Sequence, residues 1–182
     1  MNDFKLQINL EDERVSLRPL EPQDFDALFA VAADPAIWAQ HPAKERSEPE
    51  GFRIFFQQAL EGKSAFVILD QASGNIIGSS RYHPCPDTPL AIEIGWTFLA
   101  TAYWGGSYNQ AVKKLMINHA FQHYDWVLFH IHRDNLRSRK AVEKIGARPI
   151  HTLDGKTITT RSEESLVYGI RKEPKYDLRH PT

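Results

Sequence analysis

The sequence predicts a mixed α/β fold, with one layer of sheet flanked by helices in the order β-α-α-β-β-β-α-β-α-β-β. Three observations carry this. Apolar residues alternate in some stretches and recur at helical spacing in others. Clusters rich in proline or glycine, such as DPAIWAQHPA, PCPDTP and WGG, fall between those stretches. Each of the two later helical segments lies between apolar strands, the arrangement that places helices against a sheet.

Arg14 to Leu20 (RVSLRPL) alternates like a strand, and EPQDFDALFAVAAD then changes to helical spacing. Pro22 suits an early helix position there, while Phe25, Leu28 and Phe29 share one face. The proline-punctuated DPAIWAQHPAKERSEPE reads as loop with at most a short helical turn. A second helix is expected from about Pro49 to Glu61, with Phe52, Phe55, Phe56 and Leu60 apolar. KSAFVILD, the turn QASGN and IIGSSRYH form a hairpin signal. PCPDTP is predicted as loop, because three prolines cannot sit in a ladder, and LAIEIGWTFL is the third strand of a meander. A long helix follows from about Ser107 to Tyr124, then the strand WVLFHIH and a helix over RDNLRSRKAVEKIG that closes at Gly146. RPIHTL is read as a strand, Asp154–Gly155 as a turn and EESLVYGIRK as the last strand.

The chain has 182 residues, 42% hydrophobic and 25% charged, which suits one domain with a real core and excludes global disorder. A formal net charge of −1 gives no global argument for a nucleic-acid or membrane-surface partner. The single cysteine, Cys85, excludes an internal disulfide framework. The amino terminus lacks the layout of a signal peptide, and no apolar run approaches the roughly 18 residues of a membrane span. A cytoplasmic protein is the expectation.

The stretch TAYWGGSYNQA, Thr101 to Ala111, stands where a strand gives way to a helix. Backbone amides of a first helical turn have no partner inside the helix and can hold an anion, and glycines allow close approach. The alternative is a glycine turn that lets the strand reverse. The stretch is neither a Walker loop nor a dinucleotide fingerprint. On the preceding strand, simple alternation puts Ile92, Ile94, Trp96 and Phe98 on one side and Ala91, Glu93, Gly95 and Thr97 on the other. Glu93 beside two small residues is either a solvated charge on an open sheet face or a carboxylate facing a substrate.

YWGGSYNQAVKKLMINHAF followed by HRDNLRSRKAVEKIGA closely resembles the GCN5-related N-acetyltransferases (GNAT), most of all the branch with the ribosomal-protein N-terminal acetyltransferases. RVSLRPLEPQDFDALF resembles that branch's first strand and helix, and the likeness runs from about Arg14 to Arg171. It implies a GNAT-type splayed mixed sheet that binds acetyl-CoA between the strands Ile92 to Phe98 and Val127 to His132. It also implies acetyl transfer to a primary amine by direct attack, without an acyl-enzyme. The family's phosphate loop falls on Ala102, Gly105 and Ser107, where Ala102 replaces a long polar residue and Ser107 a small apolar one. Gly106, Tyr103, Trp104, Tyr108 and Asn109 belong to the same cofactor segment. Asn135 and Ser138 match positions that contact the pantetheine arm, and backbone amides of Trp96, Thr97 and Phe98 would face the donor and its oxyanion.

An attacking amine must lose its proton, and the resemblance makes Glu93 the general base. Many relatives supply the leaving thiolate with a proton from a tyrosine where this chain has Val142. Ser138, Tyr108 or water could replace it, or the thiolate leaves unassisted. His130 and His132 share a strand face without a third ligand at a convincing spacing, so no metal is expected. His83 is read as a surface residue and Cys85 as incidental. Arg133, Arg137, Arg139 and Lys140 either meet the adenosine 3′-phosphate or form a solvated helix face, the second being favoured for most. Trp38 is either an acceptor-site wall or a core anchor. The acceptor is a protein amino terminus or a small molecule, with walls at Asp34 to Glu48 and Thr152 to Ser162, and a homodimer is left open. Two other classes fit the same residues: a CoA-binding module without catalysis, and a structural protein on the same fold.

Overall fold

The computed structural model describes residues 5–85, 88–153, 155–160 and 162–173. The expected loop positions Pro86 and Asp87 and the turn residue Asp154 lie outside them. Eight strands form one sheet: β1 (Leu10–Glu11), β2 (Val15–Pro19), β3 (Ala65–Asp70), β4 (Ile76–Pro84), β5 (Ala91–Leu99), β6 (Trp126–His132), β10 (Ser165–Arg171) and β7 (Arg148–Pro149), in that spatial order. Every neighbouring pair is antiparallel except β5 and β6. That parallel pair needs a crossover, supplied by α4 (Tyr108–Ala120). A separate small hairpin joins β8 (Thr152–Leu153) to β9 (Lys156–Thr157).

The period of two along β3 builds two cores at once. Phe66 and Ile68 face one core with Tyr82, Ile92, Met116 of α4 and Val142 of α5 (Leu136–Lys144). Ala65 and Val67 face the other, with Leu28 of α1 (Phe25–Ala32) and Phe52, Phe55 and Phe56 of α3 (Pro49–Glu61). Between these helices lies α2 (Pro35–Trp38), one turn long and capped by the Asp34 side chain on Ala36 N–H.

Four expectations change. The long helix ends at Ala120, and its chain continues to Tyr124 in turns closed on His119 and Ala120 carbonyls. RPIHTL is not one strand: β7 pairs with β10, Ile150 N–H still bonds Val167 O, and the chain then leaves the sheet to make the β8–β9 hairpin. Pro84 is the last residue of β4, opposite Ile92, where the missing N–H costs least. The two-residue β1 was not expected at all.

β4 and β5 approach closely at Gly78, where an added Cβ would lie 2.0 Å from Phe98 O. Gly78→Ala must therefore push two backbones apart. It is expected to cost about 2–3 kcal/mol and lower the melting temperature by roughly 5–10 °C. An unchanged thermal unfolding curve would contradict this packing.

Candidate active site

β5 and β6 pair only at Ala91–Trp126, Ile92–Val127 and Glu93–Leu128, and then part. The cause is a bulge in β5. Ser79 lies opposite Phe98 and Arg81 opposite Gly95, so Trp96 and Thr97 together face Ser80. Trp96 takes φ +52, an uncommon backbone for a bulky side chain. The extra residue reverses the side-chain phase. Trp96 and Phe98 pack into the α3 core, whereas Thr97 reaches Lys113 of α4. The predicted alternation therefore holds up to Gly95 and fails beyond it. The Arg81 guanidinium, 3.9 Å from the Trp96 ring centre, and the His83 ring at 5.5 Å cover the bulged indole.

A cavity of about 390 Å³ fills the gap, walled by residues 94–99 and 129–132 of the two strands. One end opens on the start of α4. Gly105 has φ +73, which favours glycine, and a Cβ at Gly105 or Gly106 would meet nothing within 4 Å. Space is thus left over the unpartnered amides that precede Tyr108. The cavity walls carry Arg46, Lys113, Arg137, Lys140 and Lys144 and, among the described residues, no carboxylate. Such a lining suits a polyanion.

A second cavity of about 250 Å³ lies next to it, lined by Glu93, His83, Cys85 and Thr88 and by residues 157–160. His130 lines both cavities. Glu93 is 2% exposed. A Cβ at Gly95, on the wall of the first cavity, would lie 3.0 Å from Glu93 Oε1. The carboxylate therefore sits at the junction of the two spaces.

The family model described as an acetyltransferase (GNAT) domain matches residues 14–148. The chain belongs to the GNAT acetyltransferase family. Solved structures agree on the fold. A probable GNAT-family acetyltransferase from Chromobacterium violaceum superposes with TM-score 0.76 at 22% identity, over 91% of this chain and 86% of that one. RimJ from Mycobacterium smegmatis in complex with CoA-disulfide gives 0.63 at 17%, over 91% and 86%. Ribosomal-protein-S5-alanine acetyltransferase from Vibrio fischeri gives 0.62 at 19%, over 90% and 96%.

Within this GNAT acetyltransferase, most of the residues singled out by sequence meet in the first cavity: Trp96, Thr97, Phe98, Tyr103, Trp104, Gly105, Gly106, Asn109, Asn135 and Ser138. Asn135 caps α5, its side chain accepting from Ser138 N–H at 3.1 Å. Ser107 and Tyr108 are not among the lining residues. The Tyr108 hydroxyl donates to Asp70 Oδ1 at 2.9 Å, and its ring packs on Tyr103, so the side chain turns away from the wedge. That removes Tyr108 as a proton source for a leaving group in the cavity.

Arg137 departs from the solvated face expected for most of the basic residues near α5, whereas Arg133 and Lys140 are exposed as expected. Arg137 donates to Ala36 O and Ile37 O and stacks 4.0 Å from the Trp104 ring centre, strapping α5 to α2 across the cavity. Arg139 donates to the Tyr168 hydroxyl and Arg133 O, and Arg133 to Glu163 O. Trp38 is a core anchor, 4% exposed and donating to Ala32 O at 2.7 Å, and it also lines the first cavity. His132 bonds Glu164 at 2.9 Å, and among the described residues no group of three His, Cys, Asp or Glu side chains could hold a metal.

Lys113 and His41 were missed. Burial, then the charges of Arg46, His132 and Arg137, push the His41 imidazole down to about 4, so this ring on the cavity wall is neutral at pH 7. Lys113 is 4% exposed. A signal for it existed: with Ile117 and Ala120 it repeats at helical spacing on the apolar stripe of α4.

Proposed function

We propose that this single acetyltransferase domain moves an acetyl group from acetyl-CoA to a primary amine by direct attack, with Glu93 as general base. The observation that carries this is the splay itself: one continuous cavity has open helix-start amides and a basic lining at one end, and reaches Gly95, beside the Glu93 carboxylate, at the other. Acetyl-CoA supplies the activated acetyl thioester. The residues present fit it. Amides at Gly105 to Asn109 and the dipole of α4 favour its phosphates, aided by Lys140 and Lys144. Asn135 and Ser138 border the arm, and backbone amides near Trp96 to Phe98 are available to an oxyanion.

Glu93 holds the proton that the incoming amine gives up, in the space shared with His130. The acceptor enters between the α2 segment and the β8–β9 hairpin. It is an amine on a protein amino terminus or on a small molecule. Val142 is 4% exposed in the core and carries no donor, so Ser138 or water serves the leaving group. A cytoplasmic location goes with this reading, and no helix of the described residues is long and apolar enough to cross a membrane.

Thermal-shift titration tests the donor site. Acetyl-CoA or CoA at about 100 times its dissociation constant adds about 2.7 kcal/mol and should raise the melting temperature by roughly 5–10 °C, with NAD giving none. No shift at millimolar acetyl-CoA would overturn the reading. A shift without thiol release on any amine would leave a CoA-binding module instead.

A further inference from the structure

Lys113 is the one lysine side chain buried in the cores of the described residues, and a buried ammonium needs partners. It stands on the inner side of α4, about one and a half turns beyond the start of the helix, with its Nζ 5.6 Å from the Phe129 ring centre. An ammonium has three N–H donors. One goes to Thr97 Oγ1, which also bonds Ser80 Oγ at 2.7 Å, so this chain ties α4 to both strands at the bulge. The other two have no hydrogen-bond partner among the described residues, and Lys113 lines the cavity between β5 and β6. The charged group acting on it is Glu93, from β5.

We propose that Lys113 is a donor-binding residue: its two unengaged N–H groups take a hydrogen-bond acceptor on the arm of the acyl donor, deep in the wedge and away from the phosphate seat. This rests on the acetyl-CoA reading above. Lys113 lies six positions beyond Ser107, about 9 Å along the helix axis, so phosphates held at the helix start lie a clear step away. Burial lowers Lys113 to about 7, against the opposing pull of Glu93. At pH 8 the free protein therefore holds this amine mostly neutral. Gaining an acceptor favours the charged form, so the pKa rises on binding and a proton is taken up. Binding of the arm then weakens as pH rises above 7.

Calorimetric titration at pH 8, in two buffers of different ionisation enthalpy, reads this directly. At that pH a phosphate with its second pKa near ~6 no longer titrates. Wild type should take up roughly half a proton or more with CoA and acetyl-CoA, and none with adenosine 3′,5′-bisphosphate. Lys113→Met should weaken CoA and acetyl-CoA by about 10–100-fold, abolish the uptake, and leave the bisphosphate within about two-fold. Lys113→Gln keeps a donor without the titration; it should lose the uptake with a smaller loss of affinity, and it serves if the methionine variant does not fold. CoA binding without proton uptake, or an equal loss for the bisphosphate, overturns the proposal alone. No CoA binding by the wild type overturns the acetyltransferase reading with it.

Discussion

Glu93→Gln is expected to lower kcat by about 10²–10⁴-fold while the melting-temperature shift given by CoA stays as in the wild type. Glutamine keeps the shape of the side chain and its place beside Gly95, but it cannot accept the amine's proton. Among the described residues that line the two cavities, Glu93 is the one carboxylate, so no second carboxylate stands ready to replace it. The loss should fall on kcat and kcat/KM together, because the proton is held in the transition state and not in the ground state. Steady-state thiol release, measured with the amine found most active on the wild type, is the check. A variant retaining a third of wild-type kcat would remove Glu93 from the mechanism and leave the donor site untouched.

Trp38→Ala should cost about 3–5 kcal/mol, and roughly 10 °C in melting temperature. The indole packs against Phe98 and Phe55, with ring centres 5.4 and 6.1 Å away, and against the Arg46 guanidinium. Its N–H also satisfies Ala32 O in the interior. Truncation leaves a void open to the cavity and an unpaired carbonyl. Trp38→Phe restores most of the ring contacts and should recover more than half of the loss. Chemical denaturation of the three proteins decides it. A cost below about 1 kcal/mol for the alanine variant would mean that the α2 segment is not part of the cooperative core.

The helices and strands were legible where local pattern and local chemistry agree. α3 begins at Pro49 and ends at Glu61 as its phenylalanine spacing and proline start predict. α5 is capped by Asn135 and closed at Gly146, whose φ is +93. The segment from Tyr103 to Asn109 was legible as a cavity border only when read with the second motif, because a glycine pair between strand and helix is by itself equally a simple turn. The phase of β5 beyond Gly95 was not legible. A bulge inserts a residue through pairing with β4, and nothing in GWTF announces φ +52 at a tryptophan.

The sequence by itself determined the main helices and strands, the family and the two segments that border the first cavity, since periodicity, caps and glycines act over a few residues. Only the tertiary structure decided which side of the sheet Trp96 and Thr97 face, that Arg137 straps α5 to α2, and that Lys113 is enclosed opposite the bulge. Each of these depends on partners far apart in the chain. Arg137 finds its acceptors at Ala36 and Ile37, and Lys113 is held by Thr97. A charge reads as surface in sequence; burial and a partner supplied by the fold turn it into part of the site.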